Sequence, residues 1–332
     1  MARNPSIELY RACLMLGIVT LHTCQCAKLG FSPLARWVEF CVDGFVFISG
    51  WYGIRFRWTK IARLYGLAFY CSMLYALGRW CFLDSAPWST GAFLVEVVHR
   101  TFAYWFVNAY VVLMCFAPVV DAALQSHASR KAFVPLLTVV FVWSFACIVP
   151  GLKGWLPQPA GFGAHTFLTL LGVYVVARIA CLDRWLERFS TRRLLAMLLI
   201  LSLLAVCNLN KYNSPVAVLL GGTLFALFSR IPPSYLSSAG RAMLFLSPSL
   251  LSVYLLHGSG ADYAFLRVAV SRFSNPWLAV AVTVPLVFFA CILCDMARRA
   301  LRFLFALPWI IPRGHSVSTS LTVTNNLTTC YE

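Results

Sequence analysis

Long apolar runs recur along almost the whole chain, and they limit its possible folds more than any other feature. One of them, LLAMLLILSLLAVCNL at residues 194–209, contains no charged residue. A helix needs ~20 mostly apolar residues to cross a bilayer. Hydrophobic residues make up 61% of the 332 residues and charged residues only 11%, which is too little charge for the surface of a soluble domain. The sequence therefore predicts an all-α fold, a polytopic bundle of transmembrane helices.

The positions of these runs predict about ten spans. The membrane domain is predicted to cover residues 1–313, because the polar segment 314–332 lacks apolar periodicity and is expected to form a disordered cytoplasmic tail. Pro- and Gly-rich stretches such as residues 150–163 indicate loops between spans. The predicted spans lie near residues 6–26, 36–54, 61–82, 102–122, 132–149, 165–182, 194–210, 215–230, 242–262 and 276–297.

Lys and Arg are distributed unequally between the two sides that these spans define. Of the 27 Lys and Arg residues, 18 fall on one side, 8 on the other, and Arg11 lies within the first span. Cytoplasmic loops of membrane proteins carry the excess of Lys and Arg, so the richer side and both chain termini are predicted to be cytoplasmic. Membrane topology then accounts for the net charge of +16, and no nucleic-acid partner is expected.

The first predicted span carries a stripe of ionisable side chains. Glu8, Arg11 and His22 share one helical face, because a helix turns ~100° per residue. An Arg within a span costs ~2.5–3.5 kcal/mol to insert, so such residues usually face a bundle interior or a wet cavity. Glu8 and Arg11, three residues apart, are expected to neutralise each other in part. Arg11 and His22 lie about 16 Å apart along the helix. In one interpretation the two residues bind the two ends of one long ligand. In the other, Arg11 extends to the cytoplasmic headgroups, His22 packs within the bundle, and both roles are structural.

The second predicted span combines polar residues with glycines. Asp43 and Ser49 interrupt an otherwise apolar run, and Asp43 is expected to pair with a basic group or to line a wet cavity. Gly50 and Gly53 are expected to permit close approach between helices. A basic cluster follows on the predicted cytoplasmic side. It consists of Arg55, Arg57, Lys60 and Arg63.

Five segments, in order along the chain, resemble the acyltransferase-3 family of integral-membrane O-acyltransferases. The hallmark of that family is an Arg or Lys, ten intervening residues and a His, which matches Arg11 to His22. The segment VDGFVFISG is similar to the family's second-span pattern, although Val46 replaces the second aromatic residue of a pair. The resemblance covers roughly residues 3–300. The three later segments that resemble the family lie at 104–124, 211–231 and 247–258, the last with Tyr254 and His257.

The resemblance implies transfer of an acyl group, commonly acetyl from acetyl-CoA, to a hydroxyl of an extracytoplasmic carbohydrate or lipid-linked glycan. It implies an integral protein of the bacterial cytoplasmic membrane, with the lipid bilayer as a partner, and neither a metal nor a bound cofactor is expected. His22 would act as a general base or as a transient acyl carrier, two roles that the sequence leaves open. The candidate catalytic residues are His22 and Arg11. The candidate donor-binding or substrate-binding residues are Glu8, Asp43, Ser49, Arg57, Lys60, Arg63, Tyr254 and His257.

Two other functions fit a bundle with internal charges. One is a transporter or flippase of a glycolipid or polysaccharide unit, and the other is a glycan polymerase. The Arg11–His22 spacing and the segment FVFISG favour acyl transfer. Many transporters are built from repeated halves, so the lack of an internal sequence repeat disfavours that alternative.

Overall fold

The structure is a computed structural model that describes residues 4–83, 88–146, 167–209, 214–258 and 263–306. These residues form helices joined by short turns and contain no strand, so the predicted all-α fold is confirmed for them. Three 3₁₀ turns and one π turn interrupt the described helices. The α-helices are α1 (Pro5–Cys26), α2 (Pro33–Val38), α3 (Cys41–Tyr52), α4 (Trp58–Phe82), α5 (Thr90–Ala103), α6 (Trp105–Ala123), α7 (His127–Ala146), α8 (Phe167–Leu182), α9 (Thr191–Leu204), α10 (Pro215–Ser229), α11 (Ser237–Leu246), α12 (Leu250–His257), α13 (Ala264–Ser271) and α14 (Pro276–Ala306).

Four of the described helices are long and apolar enough to cross a membrane. They are α1, α4, α6 and the part of α14 from Pro276 to Leu301. Two more apolar helices, Leu170–Leu182 within α8 and Pro215–Ser229, are shorter. The total of about ten spans stays a prediction. The predicted loop 150–163 and tail 314–332 lie outside the described residues.

Several predicted spans are divided into two shorter elements. The span at 36–54 is broken between α2 and α3, and the span at 242–262 contains α11, a 3₁₀ turn and α12. In the span at 194–210, α9 passes into a π turn at Ala205–Leu209. Arg36 donates a hydrogen bond of 3.0 Å to the carbonyl of Val206. A charged side chain from α2 therefore provides a hydrogen-bond donor for one backbone carbonyl of this irregular turn.

Helix α5 was not predicted, and it packs along α4 in the opposite direction. Its contacts run from Trp80, whose indole N–H donates to Glu96 (3.0 Å), back to Tyr65, whose ring lies 5.6 Å from that of Phe102. At Tyr104 the backbone becomes extended (φ −72°, ψ 92°), which separates α5 from α6. The predicted span at 102–122 therefore corresponds to α6, and α5 lies almost wholly before it, where no span was predicted.

Glycines allow α8 and α10 to pack closely on α3. A side-chain carbon at Gly50 would lie 2.6 Å from the carbonyl oxygen of Tyr174 on α8, and one at Gly221 on α10 would lie 3.3 Å from the backbone of Gly44. Both contacts are too short for a larger residue without movement. The prediction that Gly50 permits close helix approach is confirmed. Gly53 acts differently, because its φ of +74° ends α3 in a conformation that favours glycine.

A partly buried ion pair joins the ends of α6 and α8 near Gly53. Arg178 of α8 donates to the carboxylate of Asp121 on α6 (3.0 Å) and to the carbonyl of Trp51 (3.2 Å). Tyr174 also donates to Asp121 (2.9 Å) and accepts a hydrogen bond from the backbone N–H of Ile54 (3.2 Å). These bonds fix the turn that leads into α4.

Candidate active site

The polar stripe of α1 begins with an ion pair. Asn4 caps the helix by accepting a hydrogen bond from the N–H of Ser6 (2.9 Å), and Glu8 follows in the first turn, where the helix dipole favours a negative charge. The guanidinium of Arg11 donates to the Glu8 carboxylate at 3.0 Å. Glu8 is buried, whereas 35% of the Arg11 side chain is exposed. The predicted partial neutralisation is confirmed, and Arg11 keeps an accessible surface for a ligand.

An open cavity of about 230 Å³, the entrance cavity, lies at the end of α3. It is bounded by Arg11 of α1, by Ser49 and Gly53 at the end of α3, and by Lys60 of α4. The ammonium group of Lys60 donates to the carbonyl of Arg55 (3.3 Å). Two cations, one from α1 and one from the basic cluster, therefore face the same space.

A second cavity of about 240 Å³, the central cavity, lies next to the first. Arg11, Met15 and Ile18 of the α1 stripe line it, with Phe106 of α6 and Tyr254 of α12. Its lining is mainly apolar, which suits an uncharged chain better than a phosphate group. The two cavities share four lining residues, so they are adjacent, and together they are called the path. The shared residues are Arg11, Ser49, Leu64 and Tyr110.

The hydroxyl groups of Ser49 and Tyr110 form a pair where the two cavities meet. The Ser49 hydroxyl donates to the carbonyl of Phe45 one turn earlier in α3 (3.0 Å). Its oxygen also lies 3.3 Å from the Tyr110 hydroxyl of α6. The pair gives an otherwise apolar passage a polar group that can bond a ligand passing through it.

His22 and His257 are in direct contact one helical turn beyond the central cavity. The Nδ1 atom of His22 lies 2.7 Å from Nε2 of His257, although 235 residues separate them in sequence. Their rings stack with centroids 4.9 Å apart. Nδ1 of His257 lies 2.6 Å from the carbonyl oxygen of Val253. Ile18 and Tyr254, which line the cavity, precede these histidines by one turn in their helices.

Hydrogen bonds to two other parts of the chain hold the short helix α12 in place. Tyr104, at the break between α5 and α6, donates to the carbonyl of Leu255 (2.8 Å). Ser252 donates to the fully buried carboxylate of Asp295 on α14 (2.7 Å). Asp295 also accepts from Arg298 (2.8 and 2.6 Å). A helix of eight residues is marginal alone, so these partners are what place His257.

Tyr263, just before α13, also packs against His22. Its ring centroid lies 4.7 Å from that of His22. A side-chain carbon at Gly258 would meet the Tyr263 ring at 2.4 Å, so only glycine fits beneath the ring. The following residue, Ala264, donates its backbone N–H to the Tyr75 hydroxyl of α4 (3.1 Å). The His22 ring thus contacts both an imidazole and a phenol ring.

The comparison with protein families matches residues 4–296 to an acyltransferase domain, that of the acyltransferase-3 family. The chain belongs to this family. It is therefore an integral membrane acyltransferase, and the resemblance stated from the sequence is confirmed. No curated protein and no solved structure matches the chain.

Within this acyltransferase, four of the ten predicted site residues line the two cavities. They are Arg11, Ser49, Lys60 and Tyr254. His22 and His257 contact each other one turn beyond the central cavity, and neither belongs to its lining. Glu8 acts through Arg11 instead of lining a cavity.

Three predicted residues lie away from the path in this acyltransferase. Arg57 and Arg63 are exposed on the segment that carries Lys60, and the lining of the two cavities does not include them. Asp43 is fully buried next to the place where Gly221 of α10 meets α3. Roles of these three residues in substrate binding stay predictions.

Two residues of the acyltransferase site were not singled out from the sequence. Tyr110 lies within a segment that resembles the family, but nothing in a single tyrosine shows that it meets Ser49 on another helix. Tyr263 follows a turn and carries no periodic signal. Both are aromatic residues of a chain that is 15% aromatic, so composition could not mark them.

Proposed function

We propose that this membrane acyltransferase transfers an acyl group, with acetyl as the leading candidate, from acyl-CoA to a hydroxyl of an extracytoplasmic carbohydrate or lipid-linked glycan. The proposal includes about ten spans, with both termini on the cytoplasmic side of a bacterial cytoplasmic membrane. The donor enters from the cytoplasm, and the acceptor reaches His22 from the opposite side.

One observation carries the proposal. A single face of α1 holds Arg11 at an entrance lined by a second cation, follows an apolar cavity through Met15 and Ile18, and carries His22 one helical turn farther along. Acyl-CoA has the same order of chemistry along its length, with phosphates at one end, a mostly uncharged arm, and a thioester at the other end. The path therefore supports a long donor bound with its thioester near an imidazole.

The cationic end of the path suits the phosphates of the donor. A guanidinium binds phosphate oxygens through paired N–H donors, and an ammonium adds a compact charge. Arg11 and Lys60 supply these two groups in the entrance cavity. The remaining basic residues of the cluster raise the local concentration of an anionic donor near the entrance.

His22 supplies the base for the chemical step. In one route its imidazole takes the proton of the acceptor hydroxyl while the oxygen attacks the thioester carbonyl, the carbon–sulfur bond breaks, and the proton passes to the leaving CoA thiolate. In the other route the imidazole nitrogen attacks the thioester first and CoA leaves as the thiolate. The hydroxyl oxygen then takes the acyl group from the nitrogen, and the hydroxyl proton passes to the CoA thiolate. Both routes give an ester and free CoA.

Mass spectrometry of surface glycans from the native host tests this function. We expect an O-acyl mass increment on a glycan of the host that carries the gene, loss of the increment on deletion, and its return on complementation. Complementation with His22→Ala should not restore it, because loss of a general base costs about 10²–10⁴-fold in rate.

The exposed His99 on α5 provides the matched control. His99→Ala removes an imidazole that lines neither cavity, and it should restore the increment as well as the unchanged gene does. All variants are compared at equal amounts in the membrane. Glycans that keep every acyl group after deletion, or a well-expressed His22→Ala that restores the increment, would show that the proposal is wrong.

A further inference from the structure

The contact between His22 and His257 contains information about where the hydrogen atoms lie. A neutral imidazole carries one N–H donor and one nitrogen acceptor, and each partner decides which nitrogen is which. The carbonyl oxygen of Val253 can only accept a hydrogen bond, so the Nδ1 atom of His257, 2.6 Å away, must carry the hydrogen. In neutral His257 the Nε2 atom is then an acceptor.

The same reasoning applies to His22, whose Nδ1 atom lies 2.7 Å from Nε2 of His257. Because Nε2 of His257 accepts, Nδ1 of His22 must donate. With its hydrogen on Nδ1, neutral His22 has its lone pair on Nε2. We infer that His257 is a positioning residue that holds His22 in the tautomer whose Nε2 nitrogen performs the acyl-transfer chemistry. This inference rests on the proposed function for its catalytic consequence.

His257 is suited to hold the tautomer and unsuited to relay a proton. A relay would require the proton taken from Nδ1 of His22 to be balanced by loss of the proton on Nδ1 of His257. That proton faces the carbonyl of Val253, which cannot take it. His257 is also buried, with 3% of its surface exposed, so bulk water does not reach it. The second imidazole therefore orients the first.

The assignment has the same consequence in either chemical route. As a base, Nε2 of His22 binds the hydroxyl proton, and the resulting imidazolium keeps its Nδ1–H bond to His257 until the proton moves to the CoA thiolate. As a nucleophile, Nε2 attacks the thioester carbonyl, the carbon–sulfur bond breaks, and CoA leaves as the thiolate. The acyl-imidazolium keeps its Nδ1–H bond to His257 until the acceptor oxygen takes the acyl group and the hydroxyl proton moves to the CoA thiolate. In both routes the bond to His257 stabilises a positive charge on His22.

Kinetics of His257 variants test the positioning role. The assay uses purified protein, acetyl-CoA, and the surface glycan of the native host after removal of its O-acyl groups. We expect His257→Leu to lower kcat by roughly 10- to 100-fold, less than complete loss of the base, with little change in KM for acetyl-CoA. His257→Gln places an amide oxygen near the former Nε2 position and should recover part of kcat. Equal activity of His257→Leu and wild type, or failure of His257→Gln to exceed His257→Leu at equal folded protein, overturns the inference.

Nitrogen NMR of the wild-type protein tests the tautomer directly and does not depend on the variants folding. Protein labelled with ¹⁵N at its six histidines is reconstituted in lipid, and His22 is assigned from the signals lost in His22→Asn. We expect a protonated Nδ1 and an unprotonated Nε2 at His22. Any other protonation pattern at His22 overturns the inference. A wild-type protein that transfers no acyl group would instead contradict the proposed function and leave the NMR result valid.

Discussion

At the scale of single residues, Arg11 has two separate roles, one toward Glu8 and one toward the proposed donor. Glu8, which is 4% exposed, needs a positive charge beside it, and the proposed donor needs a cation in the entrance cavity. A substitution at Arg11 therefore has a stability effect and a binding effect. The two effects can be separated, because Glu8 is not a lining residue of the cavities.

We predict that Arg11→Ala weakens acetyl-CoA binding and also destabilises the bundle by about 1 kcal/mol, because it removes the cation that faces the Glu8 carboxylate. The estimate is at the low end for a buried unpaired group, since water reaches the 35% of the Arg11 side chain that is exposed. Thermal unfolding and isothermal titration of purified protein measure the two effects.

The substitution Glu8→Gln separates the stability effect of Arg11→Ala from its effect on acetyl-CoA binding. The double variant Glu8→Gln with Arg11→Ala should recover most of the lost stability and none of the donor affinity. Arg11→Lys should keep part of both. Recovery of acetyl-CoA affinity in the double variant would show that Arg11 acts only through Glu8.

At the scale of helices, the packing of α3 on α8 depends on Gly50. A methyl group there would lie 2.6 Å from the carbonyl oxygen of Tyr174 and 2.7 Å from the Ala177 side chain. Both are in a helix whose own pairing with Asp121 fixes its position, so neither can move away easily.

Gly50→Ala is expected to destabilise the protein by about 1–3 kcal/mol through overpacking. Gly66→Ala is the matched control, because Gly66 also lies inside a helix but has open space around the added methyl group. That control should be neutral or slightly stabilising, since alanine favours helices more than glycine does. Thermal unfolding in detergent measures both, and equal melting temperatures for the two variants would contradict the packing argument.

The elements that could be predicted from the sequence are those whose signal is local. The alignment of Arg11 with His22 on one face requires only the helical period, and the cavity lining at Met15 and Ile18 agrees with it. Helix α5 has 14 residues and includes Glu96 and Arg100, so it lacks the length and apolarity that mark a span.

The break at Phe40 between α2 and α3 contains neither Pro nor Gly, so the sequence gives no signal for it. The contact of His22 with His257 depends on how α1 and α12 meet. Two residues 235 positions apart give no periodic pattern from which that meeting could be predicted.

At the scale of the whole molecule, charge is concentrated near the entrance of the proposed donor path. Arg57 and Lys60 belong to the basic cluster beside the entrance cavity, whereas Arg192 and Arg193 at the start of α9 are equally exposed and line neither cavity. All four are on the predicted cytoplasmic side. If these residues only set the membrane topology, the two pairs are expected to have the same effect on donor binding.

We predict that changing both Arg57 and Lys60 to Gln weakens acetyl-CoA binding by about tenfold, or about 1.4 kcal/mol, while membrane insertion is retained. The matched double change of Arg192 and Arg193 to Gln removes the same charge and should leave the affinity within about twofold, because charges far from the ligand are screened. Titration of purified protein with acetyl-CoA at moderate salt compares the two. Equal losses would assign the effect to net charge, and no loss in either would remove the cluster from the donor entrance.

The position of Arg11 and His22 on one uninterrupted helix has a mechanical consequence. A rigid rod carries both groups together, so the interval between them is constant however the rest of the bundle moves. A donor that spans this interval meets the same geometry at every turnover, and α1 acts as the fixed element against which other helices move. Any opening or closing of the path must then come from the walls that carry Ser49, Tyr110 and Tyr254, which belong to three other helices.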